Sequence, residues 1–290
     1  MNSIKSGPGS MKQNKSFSSI PFYLVATPIG NLSEISPRVK ETLESVDFIA
    51  CEDSRVTRKL LAHLAISKTL ISLHQFNEEA KSAEIIARIE LGEKGCYVSD
   101  AGYPLISDPG SRLVRSLLEH DIFVSVINGP SALLPALIGS GLPSEHFYFH
   151  GFLDLKAKDR ELIDLKNKRE TLIFYEAPHR IDKTIKFLFD LLGKREAALV
   201  RELTKRHEEY IYGTLAELLT LDFDKIKGEL VLVVKGNDEV IETDEGQALV
   251  HVDQLIKEGY KTKEAIKIVA LLFNSNKNKL YDLYIKQKGE

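Results

Sequence analysis

The stretch FYLVATPIGNLSEISPRVKETLES, residues 22–45, decides the fold. An apolar run rich in β-branched and aromatic residues, Phe22 to Ala26, breaks at the cluster TPIGN beginning at Thr27. Pro37 to Ser45 follows, with Val39 and Leu43 spaced as on one face of a helix. Strand, Gly/Pro loop and helix in that order make the basic unit of α/β folding.

Working outward, the same alternation repeats. Strands are expected at Phe48 to Cys51, Cys96 to Ser99, Phe123 to Ile127, Phe147 to His150, Leu172 to Tyr175, Ala197 to Val200 and Leu230 to Val234. Helices are expected at Val56 to Leu64, Lys81 to Leu91, Ser111 to Glu119, Ala132 to Ser140 and Ile181 to Leu192, where Leu, Ile and Val recur at three and four residues. Gly, Pro and polar residues interrupt the pattern at Gly141 to Glu145. After Gly236 the acidic run NDEVIETDEG reads as a linker, and Ala248 to Lys288 as two or three helices. The expected division is a leader over 1–20, α/β domains over 21–140 and 141–236, and a linker with a helical tail over 237–290. Met1 and Met11 are the only methionines, so Met1 to Ser10 reads as a leader preceding a native start.

With 290 residues, 43% hydrophobic and 28% charged, the composition is that of an ordinary globular protein with material for two cores. No run reaches the ~18 apolar residues of a membrane helix, and the start lacks a signal-peptide core, so no membrane association and a cytoplasmic location are expected. Cys51 and Cys96 lie in or beside apolar strands and read as buried thiols rather than a disulfide or metal pair. A net charge of −3 argues against a uniformly basic nucleic-acid coat. Local patches remain: Lys261 to Glu290 carries seven lysines against Glu264, Asp282 and Glu290, a balance of +4. Such a run is either a solvated helical face or an RNA contact.

Four strands run directly into clusters of loop residues: TPIGN at Thr27, SDAGYPLISDPGS at Ser99, NGPSALL at Asn128 and YEAPHR at Tyr175. Tight βα turns favour such residues for steric reasons alone, but four at strand ends together point to a ligand pocket. The phosphate-loop and dinucleotide fingerprints are absent, as are H-E-x-x-H and paired Cys-x-x-Cys, so no metal is expected. Ser131 could cap the following helix, and N–H groups there would suit a carboxylate.

These stretches carry a resemblance. YLVATPIGNLSEISPR, CEDSRVTRKLL, YVSDAGYPLISDPGSRLV, NGPSALLPALIGSGLP, FYFHGFL, TLIFYEAPHRI, VRELTKRHEE and KGELVLVVKG occur in order from Phe22 to Gly236. The chain resembles the ribosomal RNA small-subunit methyltransferase I family, within the tetrapyrrole-methylase-like (class III) methyltransferases. The resemblance implies two α/β domains with S-adenosylmethionine in the cleft between them. It also implies a homodimer and methyl transfer to a cytidine ribose 2′-hydroxyl in the decoding region of the 16S ribosomal RNA. It assigns the cofactor cleft to Thr27, Pro28, Asp100, Ala101, Gly102, Ile106, Ser107, Ser131, Ala132, Tyr175, Leu203 and Gly228. This sequence departs from the family in having Ala26 for Gly, Asn128 for Pro, and HQFNE at His74 where a second His is expected.

Methyl transfer from a sulfonium is an in-line displacement with a neutral leaving group, so positioning the ribose oxygen is the main task. A base or cation near that oxygen would help as the bond forms. The candidates are Glu52, Asp53, Arg55, Glu176, His179, Arg180, Glu202 and Lys205. The bland readings are a helix start for Glu52 to Arg55, a first helical turn for His179 and Arg180, and a solvated charge run for Glu202 and Lys205. Competing functions are methylation of a tetrapyrrole or other small molecule, a non-catalytic RNA-binding protein with the same fold, and diphthine-type protein methylation. A net-acidic chain with basic loops fits a shaped ribosomal-subunit surface better than free RNA.

Overall fold

The computed structural model describes residues 20–155, 164–238, 245–273 and 275–288. The expected leader over 1–20, Ile20 apart, and the linker residues 239–244 lie outside them. The chain divides into two compact units, through Gly236 and from Asn237 onward.

The first unit holds two five-stranded sheets. One contains β1 (Phe22–Val25), β2 (Phe48–Cys51), β3 (Thr69–Ser72), β4 (Gly95–Val98) and β5 (Val124–Ile127) in the order β3-β2-β4-β1-β5, all parallel. Helices α1 (Pro37–Ser45), α2 (Ser54–His63), α3 (Glu78–Glu90), α4 (Ser111–Glu119) and α5 (Leu133–Gly139) alternate with these strands. The strands β1, β2 and β4 are buried along their whole length, as a parallel sheet covered on both faces requires. Cys51 and Cys96 are buried free thiols on the neighbouring strands β2 and β4.

Local chemistry fixes the helix starts. Ser36 accepts the Val39 N–H and Pro37 begins α1, and Asp53 accepts the Arg55 N–H at the start of α2. The buried Glu78 carboxylate accepts the N–H groups of Arg112 and Leu113 (2.7 and 3.1 Å), so the first residue of α3 satisfies the start of α4.

The second sheet contains β6 (Phe147–Phe152), β7 (Thr171–Glu176), β8 (Glu196–Arg201), β9 (Glu209–Thr214) and β10 (Leu230–Val234), ordered β6-β7-β10-β8-β9. Only β6 and β7 are parallel; the other pairings are antiparallel. Helix α6 (Ile181–Leu192) and the short α7 (Leu215–Leu218) cover it through Leu172, Phe174, Ile185, Leu188 and Leu232. The sequence reading found eight strands and passed over β3 and β9. Both are edge strands, β3 with one buried residue and β9 with none, so neither carries the apolar run that marks a central strand.

The second unit is α8 (Glu245–Lys257), α9 (Thr262–Leu272) and α10 (Lys277–Lys288) around Val252, Ile266, Val269, Leu280 and Tyr284. Among the described residues, no helix is long and apolar enough to cross a membrane.

Candidate methyl-donor cleft

At the carboxyl end of the parallel sheet the loops after β1 and β4 are zipped together. Thr27 and Gly102 exchange N–H···O bonds of 2.9 and 3.0 Å, the Thr27 hydroxyl donates to the Ser99 carbonyl, and the Ser99 hydroxyl donates to the Gly102 carbonyl. Gly102 has a positive φ of 74° that this turn imposes. The loop after β5 closes from the other side: a Cβ on Gly129 would lie 2.9 Å from both the Cβ and the carbonyl oxygen of Ala26. Ala26 fits because its neighbour lacks a side chain.

Between these loops and the second sheet lies a cleft of about 590 Å³. From the first sheet it is lined by Ala101, Gly102, Ile106, Ser131 and Ala132, and from the second by Tyr175, Leu203 and Gly228. These eight are among the cofactor residues that the resemblance assigns, and the fold brings them together from four loops and strand β7. The other four stand differently. Thr27 is buried and holds the Gly102 turn, and Asp100 accepts the Asp53 N–H at 3.1 Å. Ser107 has a left-handed φ of 65° beside Ile106, and Pro28 is part of the loop next to Ile29 rather than of the lining.

One expectation is corrected. Ser131 does not cap the following helix: the N-cap is Ala132, in αR conformation, with no side-chain cap bond. Ser131 faces the cleft instead.

The cleft also takes Tyr103, Phe147 and Phe152, which the sequence reading did not single out. Phe149 and Phe152 meet the Tyr175 ring edge-on at 4.9 and 6.1 Å, giving an aromatic wall. Burial lifts the Tyr175 phenol to about 12, against a hydrogen bond with the Leu133 backbone, so it stays protonated. The dense aromatics of FYFHGF were the available signal.

The catalytic candidates fall into three groups. Glu176 lines the cleft, yet both its oxygens are engaged: one accepts the Ala177 N–H (2.8 Å) with Arg180 Nε at 3.4 Å, the other the Thr184 hydroxyl (2.6 Å). Arg180 also donates to the Leu153 carbonyl at 2.7 Å, so this pair ties β7 to the start of α6. His179, next to them, is exposed. Glu202 and Lys205 form the second group. Lys205 Nζ sits 2.9 Å from Glu202 and 2.8 Å from Glu229, and these contacts lower the Glu202 carboxyl and raise the lysine. Glu202 itself has a left-handed φ of 52°, held against the positive-φ Gly228.

Glu52, Asp53 and Arg55 form the third group, beside Asp100. Arg55 grips Asp53 through a fork of 2.6 to 3.1 Å bonds, which holds the Asp53 carboxyl at about 2. Burial, then the neighbouring Asp100 and Asp53 charges, pushes Glu52 up. Asp100 is raised chiefly by burial, and Asp108 reaches about 6 through burial and the charges of Glu52 and Asp100. Under this cluster the buried Tyr97 hydroxyl and His74 Nδ1 find no hydrogen-bond partner among the described residues. No three His, Cys, Asp or Glu among the described residues are placed to hold a metal ion.

Comparison with known proteins bears on this architecture. The model of the Tetrapyrrole (Corrin/Porphyrin) Methylases matches residues 21–219. The chain is 44% identical over 275 residues to ribosomal RNA small subunit methyltransferase I of Bacillus subtilis (strain 168), covering 91% of this chain and 94% of that one. It is 41% identical to the protein of the same name from Vibrio cholerae, covering 92% and 95%. Among solved structures, diphthine synthase aligns with a TM-score of 0.58 at 14% identity (75% of this chain, 90% of that one). A Thermus thermophilus uroporphyrin-III-C-methyltransferase aligns with 0.55 at 20% (74% and 93%). At such low identity these two attest the fold alone. The chain therefore belongs to the tetrapyrrole methylases, and within them to the ribosomal RNA small subunit methyltransferase I family.

Proposed function

We propose that this protein is an S-adenosylmethionine-dependent ribosomal RNA methyltransferase that modifies a cytidine 2′-hydroxyl in the decoding region of the small subunit. The observation that carries the reading is the cleft, in which eight residues assigned from sequence converge from two sheets. Its size lies within the ~300–1,000 Å³ of small-molecule sites. Apolar Ile29, Ile106 and Leu203 and the Tyr175 face suit an adenine and a thioether chain, while turns at Gly102, Ser131 and Gly228 bring main-chain groups close. The donor, when bound there, supplies an electrophilic methyl on a sulfonium.

The chain's own residues do the rest by positioning. Glu176 and Arg180 keep the end of β7, and with it Tyr175, fixed against the cleft. Asp53 is held ionised by Arg55, and Glu202 by Lys205 and Glu229. The loop of Glu52 and Asp53 is bonded to Asp100, the residue before the cleft-lining Ala101, and burial raises the Glu52 carboxyl, so our reading gives Glu52 the proton leaving the ribose oxygen. Glu229, the second carboxylate partner of Lys205, lines the cleft, and the exposed His179 follows Pro178, another lining residue. The protein acts as a homodimer in the cytoplasm, on the assembled subunit rather than naked RNA.

The test is transfer of labelled methyl to purified unmethylated small ribosomal subunits, with digestion to locate the label. Label on a cytidine 2′-oxygen is the expected outcome. Cofactor binding without transfer to subunits or RNA would overturn the reading in favour of a small-molecule substrate or a non-catalytic role.

A further inference from the structure

We propose that Phe76 is a stacking platform for an unpaired nucleobase of the RNA substrate; this rests on the ribosomal RNA reading above. Phe76 is 87% exposed, on the loop that follows β3. A phenyl ring in water usually signals a slack loop, but this loop is pinned. Asn77 Oδ1 accepts the His74 N–H (2.8 Å), Asn77 Nδ2 donates to the Ser72 carbonyl (3.1 Å), and the Asn77 N–H donates to the His74 carbonyl (3.0 Å). On its far side the buried Glu78 is locked to the start of α4. The His74 ring meets Phe76 edge-on at 6.1 Å. The backbone therefore holds an uncovered aromatic face in a set place, which is the preorganisation that lowers the entropic cost of binding.

Its location gives the partner. Strands β2 and β3 are parallel neighbours, so the Phe76 loop leaves the same carboxyl edge as the Glu52 to Arg55 loop. The two are joined by Leu73 N–H to the Cys51 carbonyl (2.8 Å) and Ser72 Oγ to the Glu52 carbonyl (3.3 Å). Arg55, whose side chain is 83% exposed, lies in the first turn of α2, directly after that neighbouring loop. The Arg55 guanidinium is engaged with Asp53 through Nε and Nη2, yet its side chain stays exposed, and with an exposed aromatic on the adjacent loop it suits the two parts of one nucleotide, phosphate and base. Single-stranded RNA is read by stacking splayed bases on such rings.

The experiment uses the full chain with F76A, F76L and F76W. Base–aromatic stacking is lost on truncation to alanine, so F76A should raise KM for unmethylated small subunits about tenfold with kcat changed less than about twofold. Adenosylmethionine affinity, read by calorimetry, should not move, and the exposed site should leave thermal stability unaltered. F76W should keep KM within about threefold, whereas F76L, apolar but not planar, should behave as F76A. The chain has no tryptophan, so the indole introduced by F76W is a unique fluorophore whose emission should be quenched by subunits or by an RNA oligonucleotide. An active wild type with F76A or F76L unimpaired overturns the inference. Absence of any methyl transfer by the wild type sinks the functional reading instead, and the fluorescence arm then decides stacking alone: an unquenched indole overturns it.

Discussion

Gly30, in the loop after β1, lies so close to Lys205, in the loop after β8, that a Cβ on Gly30 would stand 2.5 Å from Lys205 Cγ and 2.7 Å from its Cε. Two loops from different sheets thus meet backbone to side chain beside the cleft. Lys205 has little room to yield, because its ammonium is held by both Glu202 and Glu229. Gly30 also has φ 154°, a conformation other residues rarely adopt. G30A should therefore cost about 1–3 kcal/mol of stability. In a K205A background the steric share disappears, so a double-mutant cycle from urea unfolding should show coupling of at least ~0.5 kcal/mol; additive costs would mean the two residues do not press on each other.

The acidic cluster gives a pH dependence with a definite sign. Asp108 moves from an ordinary 3.8 to about 6 on folding, so the folded chain holds its proton more tightly than the unfolded one. Its contribution favours folding below about pH 4 and is lost as pH rises through about 6. D108N should then stabilise the protein at pH 8 by about 1–2 kcal/mol, a value reduced for partial exposure, and have almost no effect at pH 4. Denaturant midpoints at the two pH values check this; equal shifts would rule out the burial account.

Glu176 is buried with both oxygens used. E176A leaves the Ala177 N–H and the buried Thr184 hydroxyl without their acceptor and Arg180 without its ion pair. A loss of about 2–4 kcal/mol is expected, with weaker adenosylmethionine binding because Tyr175 loses its anchor. Thermal unfolding and calorimetry measure the two effects, and a fully stable E176A would contradict the anchoring role.

The lysines of α9, α10 and the residues before them should supply salt-dependent, sequence-independent affinity for RNA. Deletion of residues 241–290 falls wholly within the second unit. It should weaken subunit binding and flatten the slope of log affinity against log salt. Unchanged binding across a salt series would assign these lysines to solvation alone.

How much was legible can be traced in particular residues. The run FYLVATPIGN announced a buried strand and a tight loop, which the structure places beside the cleft, because a parallel strand covered on both faces must be apolar throughout, and its exit must turn at once. The same parallel-strand logic exposed β2 and β4, while β7, β8 and β10 showed as apolar runs because they are the central, largely buried strands of the second sheet. It failed for β3 and β9, whose edge positions need no apolar run. Phe147 and Phe152 were passed over as cleft residues because strand periodicity says which face a side chain takes, not what stands opposite.

By itself, then, the sequence determined the α/β class, the central strands, the loops of the cleft and the family. Only the tertiary structure decided that the second sheet is mostly antiparallel, that Ser131 faces the cleft without capping α5, and that Glu176 is tied off while Glu52 is raised. The division has a physical cause. Backbone preference and burial act over a few neighbouring residues and leave their mark in the local pattern. Strand direction, the partner of a carboxylate and the proton affinity it acquires depend on groups brought together by the fold, such as Asp100, 47 residues from the Asp53 N–H that it accepts.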